Sequence, residues 1–94
     1  MLEINTARAY QLSGTVTLKN ILNEAYFMLD SATGNQYDLT EMEYKIVSLI
    51  DSGTVFAEVV AQIALEYSAP MEQITTDLEE YFASLLNAGI IMES

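Results

Sequence analysis

The chain has no cysteine, no histidine, one proline, four glycines and only three basic residues in 94 positions. Without cysteine, neither a disulfide framework nor a thiolate metal site can supplement the core. Without histidine, the usual general base and the commonest metal ligand are missing, so we expect neither catalysis nor a cofactor. Arg8, Lys19 and Lys45 stand against fourteen acids, for a formal net charge of -11. Beyond Lys45 the chain carries no basic residue, while Asp51, Glu58, Glu66, Glu72, Asp77, Glu79, Glu80 and Glu93 follow. Such a half repels phosphate backbones and anionic lipid, which excludes nucleic acid and membrane as expected partners and favours neutral or basic ones. The N-terminus MLEINTARAY lacks a basic flank and a long apolar run, and no stretch approaches the roughly 20 apolar residues of a membrane span. The expectation is a soluble cytoplasmic protein.

What is present is apolar and aromatic. The hydrophobic fraction is 51%, with six tyrosines and three phenylalanines. A dense core in a short chain accounts for most of this, and apolar surface kept for a partner is the sharper alternative. The length suits a single domain over 1–94, burying roughly 60 to 65% of the surface its unfolded form exposes.

The stretch Glu24 to Leu39, EAYFMLDSATGNQYDL, organises the rest. Tyr26, Phe27, Met28 and Leu29 form a run with strong strand preference. Asp30, Ser31, Thr33, Gly34 and Asn35 supply the short polar side chains and permissive backbone of a reversal. Tyr37 and Leu39 then resume a period of two, with Gln36 and Asp38 on the other face. This predicts an antiparallel hairpin with a loop of about four or five residues. Upstream, Thr15 to Leu18 reads as a first strand, and Asn20 to Asn23 turns the chain into the hairpin. Residues 1–14 are expected to be a loosely ordered lead-in, with or without a short strand at its end.

At Thr40 the period changes. Thr40, Glu41, Met42, Glu43 fits a capping box, predicting a helix from Glu41 to about Asp51 with Met42, Ile46, Leu49 and Ile50 inward and Gly53 near its end. Thr54 is the expected cap of a second helix, Val55 to about Tyr67, whose inward face is Val55, Val59, Val60, Ile63 and Tyr67. Pro70 closes that helix and opens a third. The third carries a stripe of Ile74, Leu78, Tyr81, Phe82, Leu85 and Leu86, and Gly89 stops it. Ile90 to Met92 is an apolar tail, a short strand or a segment packed on the sheet. Three strands followed by three helices argue for one α+β domain.

The ordered set Tyr26-Phe27-Met28-Leu29-Asp30, Thr33-Gly34, Tyr37-x-Leu39-Thr40, Ile46, Leu49-Ile50-Asp51-x-Gly53-Thr54-Val55, Glu66-Tyr67 and Asp77-Leu78 resembles the PqqD-like proteins, the precursor-peptide recognition elements of ribosomal peptide biosynthesis. The likeness spans about residues 15 to 92. It is closer to the stand-alone leader-binding proteins of lasso-peptide clusters than to the pyrroloquinoline quinone branch, which tends to carry a proline-containing stretch where Asp30 to Gly34 stand. The resemblance implies a winged helix-turn-helix-like domain, a three-stranded antiparallel sheet followed by three helices, without catalytic activity. It implies binding of a precursor's leader region and its presentation to a maturation enzyme such as a protease, cyclase or radical enzyme. It also implies that the leader adds as a strand beside Asn35, Gln36, Tyr37, Asp38 and Leu39, in a groove walled by Asp77, Leu78, Tyr81, Phe82 and Leu85.

An open edge strand offers unpaired amides and carbonyls to an extended peptide, and pockets beside it select alternate side chains. Asp77, Glu80 and Asp38 are placed to meet leader lysine or arginine. Each of these residues also has a plainer reading. Tyr37, Leu39 and the helix-three stripe suit a core, and Asp77 suits the positive end of a helix. Among other functions, a DNA-binding winged helix fails on charge. A calcium loop over Asp30 to Glu41 has Ala32 at a ligand position and its glycine fifth rather than sixth. Hydrolysis by paired carboxylates finds no recognisable motif. The main alternative is a homodimer built through the same edge or the apolar tail.

Overall fold

In a computed structural model that describes residue 4 and residues 7–93, eight elements follow one another. They are β1 (Tyr10–Leu12), β2 (Val16–Ile21), β3 (Ala25–Asp30), β4 (Asn35–Leu39), α1 (Glu41–Asp51), α2 (Phe56–Glu66), α3 (Met71–Asn87) and β5 (Ile91–Glu93). The expected antiparallel sheet is β2-β3-β4, in that order. Tyr26 pairs with Leu39 and Met28 with Tyr37, while Leu18 pairs with Met28 from the other side.

Both reversals in this sheet have local causes. Between β3 and β4 a four-residue loop forms around Asp30, whose Oδ1 accepts from the Ala32 amide at 3.0 Å. The Asp30 carbonyl accepts from the amide of Gly34, whose φ of 77° suits a residue without a Cβ. Between β2 and β3 the turn is tighter than expected. β2 continues to Ile21, and the three residues Leu22 to Glu24 reverse the chain, with Leu22 and Asn23 at φ 53° and 57° and the Glu24 amide donating to the Ile21 carbonyl. Two central residues at positive φ match the right-handed twist of the flanking strands.

The segments at the two ends of the chain pair with each other as a second antiparallel sheet, β1-β5, with Tyr10 opposite Glu93 and Leu12 opposite Ile91. The lead-in expected over 1–14 is thus structured from Ala9 onward, whereas its residues 1–3, 5 and 6 lie outside the described residues. Tyr10 is 1% exposed. Three-residue strands are too short to reveal a period of two, and their partners lie about eighty positions apart.

The capping box forms as expected. The Glu43 amide donates to Thr40 Oγ1 at 3.1 Å, and Glu43 Oε1 accepts from the Thr40 amide at 2.8 Å. Helix α2 departs from expectation at its start. Val55 takes the N-cap position without a side-chain bond, and the Thr54 hydroxyl lies 3.0 Å from that of Ser52. The residue that anchors this end is Phe56, fully buried, with its amide donating to the Arg8 carbonyl. Helix α3 ends in a Schellman arrangement, with the Gly89 amide on the Leu86 carbonyl and the Ile90 amide on the Leu85 carbonyl. The core joins Val47 and Ile50 of α1, Phe56, Val59 and Ile63 of α2, and Ile74, Leu78, Phe82 and Leu85 of α3 with Tyr10, Met28 and Ile91.

A groove between β4 and α3

Alternation along the strands assigns the two faces of the three-stranded sheet. Val16, Leu18, Met28, Asp30, Tyr37 and Leu39 face inward, and all are buried or half-buried. Thr17, Lys19, Leu29, Gln36 and Asp38 face outward and are exposed. β4 is a terminal strand of its sheet, hydrogen-bonded to β3 alone, so its other margin has unpaired backbone groups among the described residues. Beside it lies a groove of about 270 Å³. Met28, Tyr37, Asp38 and Leu39 line it from the sheet, Glu43 from α1, Tyr81, Ser84 and Leu85 from α3, and Ala88 and Ile90 from the cap and turn that end α3.

Of the residues expected at a binding site, Tyr37, Asp38, Leu39, Tyr81 and Leu85 are brought together here. Asn35 and Gln36 lie on the open margin outside the groove. The Asn35 amide group donates to the Tyr37 hydroxyl at 3.3 Å and that of Gln36 to Asp38 Oδ1 at 2.9 Å. Asp38 lines the groove although its carboxylate, which accepts from Gln36, belongs to the outer face.

Leu78 and Phe82 stand elsewhere than expected: neither lines the groove. The Phe82 ring is 0% exposed, edge-on to Phe56 at 4.8 Å and to Tyr10 at 5.5 Å. The reason is the helical period. Ile74, Leu78, Phe82 and Leu85 form one stripe toward α2 and the core, whereas Tyr81, Ser84 and Ala88, spaced by three and four, form the adjacent stripe toward β4. Asp77, exposed and bonded to Gln73 at 2.9 Å, is one turn before Tyr81 on that stripe but outside the groove.

Sequence reasoning missed Met28, Glu43, Ser84, Ala88 and Ile90. Ser84 and Ala88 were recoverable as positions i+3 and i+7 from Tyr81. Glu43 was read only as the partner of Thr40, although one carboxylate oxygen suffices for the cap.

The polar end of the groove is distinctive. The Tyr81 hydroxyl is buried and has no hydrogen-bond partner among the described residues. Burial, and then the negative charge of Glu43, push its ionisation well above the ordinary tyrosine range, so it keeps its proton. Two other hollows are larger. One of about 540 Å³ touches only Met71, Glu72, Gln73, Thr75 and Thr76, the first turns of a single helix, and has no second wall. The other, about 340 Å³ between α1 and α2, is bridged by Lys45, which meets Glu66 at 2.7 Å and Glu41 at 3.5 Å. The hydrogen bond to Glu66 raises the Lys45 pKa.

Residues 25–91, from the start of β3 to the start of β5, match the family of coenzyme PQQ synthesis protein D (PqqD). The chain belongs to the PqqD family. The likeness covers β4, α3 and thus every residue of the groove. Among solved structures, TbiB1 in complex with the TbiA(beta) leader peptide is similar at a TM-score of 0.80 and 26% sequence identity, over 86% of this chain and 93% of that one. No curated protein matches the chain in sequence. The α+β architecture, a three-stranded antiparallel sheet with three helices, is that of a PqqD-like recognition element.

Proposed function

We propose that this protein is a non-catalytic binding domain for the leader segment of a ribosomally made precursor peptide, in the manner of the lasso-peptide leader-binding proteins. The leader adds as a fourth strand beside Asn35–Leu39, and its inward side chains enter the groove between β4 and α3. The domain then presents the bound precursor to a maturation enzyme, a protease, cyclase or radical enzyme. The proposed setting is the cytoplasm, where ribosomal precursors are made.

The observation that carries this reading is an unpaired strand margin running alongside a mostly apolar groove, in a chain similar to a protein solved with a leader peptide. Backbone pairing along β4 supplies affinity and register, and the groove supplies side-chain selection. Tyr37, Leu39, Tyr81 and Leu85 are the proposed side-chain contacts, with Asn35 to Leu39 as the backbone contact. The excess of acid speeds the approach of a basic leader more than it tightens the complex.

Titration with the leader of the precursor encoded beside this gene should give saturable binding in the micromolar range or tighter, with slowed amide exchange along Asn35–Leu39. Failure of any neighbouring precursor to bind, or protection confined to α1 and α2, would sink the reading. Sedimentation of the free protein separates it from the homodimer alternative, which requires the same margin to be already occupied by a second copy.

A further inference from the structure

We propose that Tyr81 and Glu43 form a polar read-out at the end of the groove that selects a leader side chain with a long apolar body and a hydrogen-bond-donating tip, an arginine or a lysine. This rests on the leader-binding reading above and names the chemistry that its groove prefers.

Three features of the groove converge on that choice. Its floor and sides are apolar, with Met28, Tyr37, Leu39, Leu85 and Ile90, and would cover the methylene stem of a long side chain. Its polar end holds two groups short of a partner. The Tyr81 hydroxyl is buried and unbonded among the described residues, and Glu43 spends one carboxylate oxygen on the Thr40 amide, leaving the other free to accept. The protein provides no cation of its own here: Lys19 is exposed on the outer face of the sheet, and among the described ion pairs Lys45 serves Glu41 and Glu66, and Arg8 serves Glu93.

Alternative occupants fare worse. A plain aliphatic side chain would strip water from the Glu43 carboxylate and leave the buried hydroxyl as unmet as before, so neither group gains a hydrogen bond. A carboxylate would meet the like charge of Glu43. An N–H donor is accepted by both oxygens at once, and a cationic one also gains from Glu43 in a partly desolvated site.

Two variants test this while keeping the fold. Tyr81→Phe retains the ring and removes only the hydroxyl. Glu43→Gln removes the charge and leaves an oxygen that still completes the capping box. The probe is the leader of the precursor encoded beside this gene, with each arginine and lysine changed in turn to methionine. On the wild-type protein one such change should weaken binding about tenfold, the scale of a charge-assisted hydrogen bond. On Tyr81→Phe and on Glu43→Gln the same change should cost markedly less, since the tip has already lost a partner. The inference is overturned if every basic-to-methionine change costs the same on wild type and both variants. It is overturned as well by a leader that binds tightly without arginine or lysine. In both cases leader binding itself survives. Failure of the unmodified leader to bind wild type removes the underlying reading and this one with it.

Discussion

Tyr81 and Phe82 are neighbours in sequence on α3 and stand in opposite circumstances. Phe82 is enclosed on every side, its ring held edge-on by Phe56 and Tyr10, with nothing polar to satisfy. Tyr81 leaves the same helix about 100° further round, lies against β4, and buries a hydroxyl that no described residue meets. One face of the helix is therefore closed by the chain itself, and on the next a hydroxyl is left unmet by the described residues. The lesson is that a helix bordering an open strand divides its apolar surplus between a core and a groove.

Four changes and one titration sharpen or break that contrast. The largest effect is expected at Phe82→Ala, which empties the centre of the core and should destabilise the domain by about 3 to 5 kcal/mol. In a domain this small that approaches complete unfolding, and thermal melting by circular dichroism would read it. Thr40→Ala comes next. It removes the acceptor for the Glu43 amide and should cost about 1 kcal/mol in denaturant unfolding, while freeing the Glu43 side chain from its position at the groove.

On the sheet side, Leu22 is 83% exposed at a φ of 53°, a conformation that disfavours a branched side chain. Leu22→Asn should raise stability by about 0.5 to 1 kcal/mol, seen as a higher denaturant midpoint with an unchanged slope. Tyr81→Phe should change stability by less than about 1 kcal/mol in either direction, because the hydroxyl it removes has no bond to lose. A loss as large as that of Phe82→Ala would place Tyr81 in the core and end the distinction between the two faces.

The smallest effect is in alkali. The raised ionisation of Tyr81 means that above about pH 10 the unfolded chain releases a proton that the folded chain keeps. Its contribution is complete below the ordinary tyrosine range and is lost as pH rises. Lys45, raised by its bond to Glu66, acts with the same sign. Unfolding followed from pH 8 to 11 should therefore show a decline that Tyr81→Phe partly flattens.

Much of this was legible in the residues. The hairpin around Asp30 and Gly34, the capping box at Thr40 and the stop at Gly89 are written in short-range chemistry, and all three formed where expected. Phe56 and the pairing of Tyr10–Leu12 with Ile91–Glu93 were not, because each depends on a partner far away in the chain. Within the candidate site, Tyr37, Leu39, Tyr81 and Leu85 could be named. Which of the α3 apolar residues turn inward could not be named, since a stripe this wide covers both a core and a groove.

The sequence by itself determined the local devices, the acidic balance and the order of strands before helices, since caps, turns and periodicity act between residues a few positions apart. Only the tertiary structure decided that β4 ends its sheet, that α3 stands beside it, and that Glu43 and Tyr81 meet in one groove. Those facts arise from the packing of distant segments, which a pattern of neighbours along a chain does not encode.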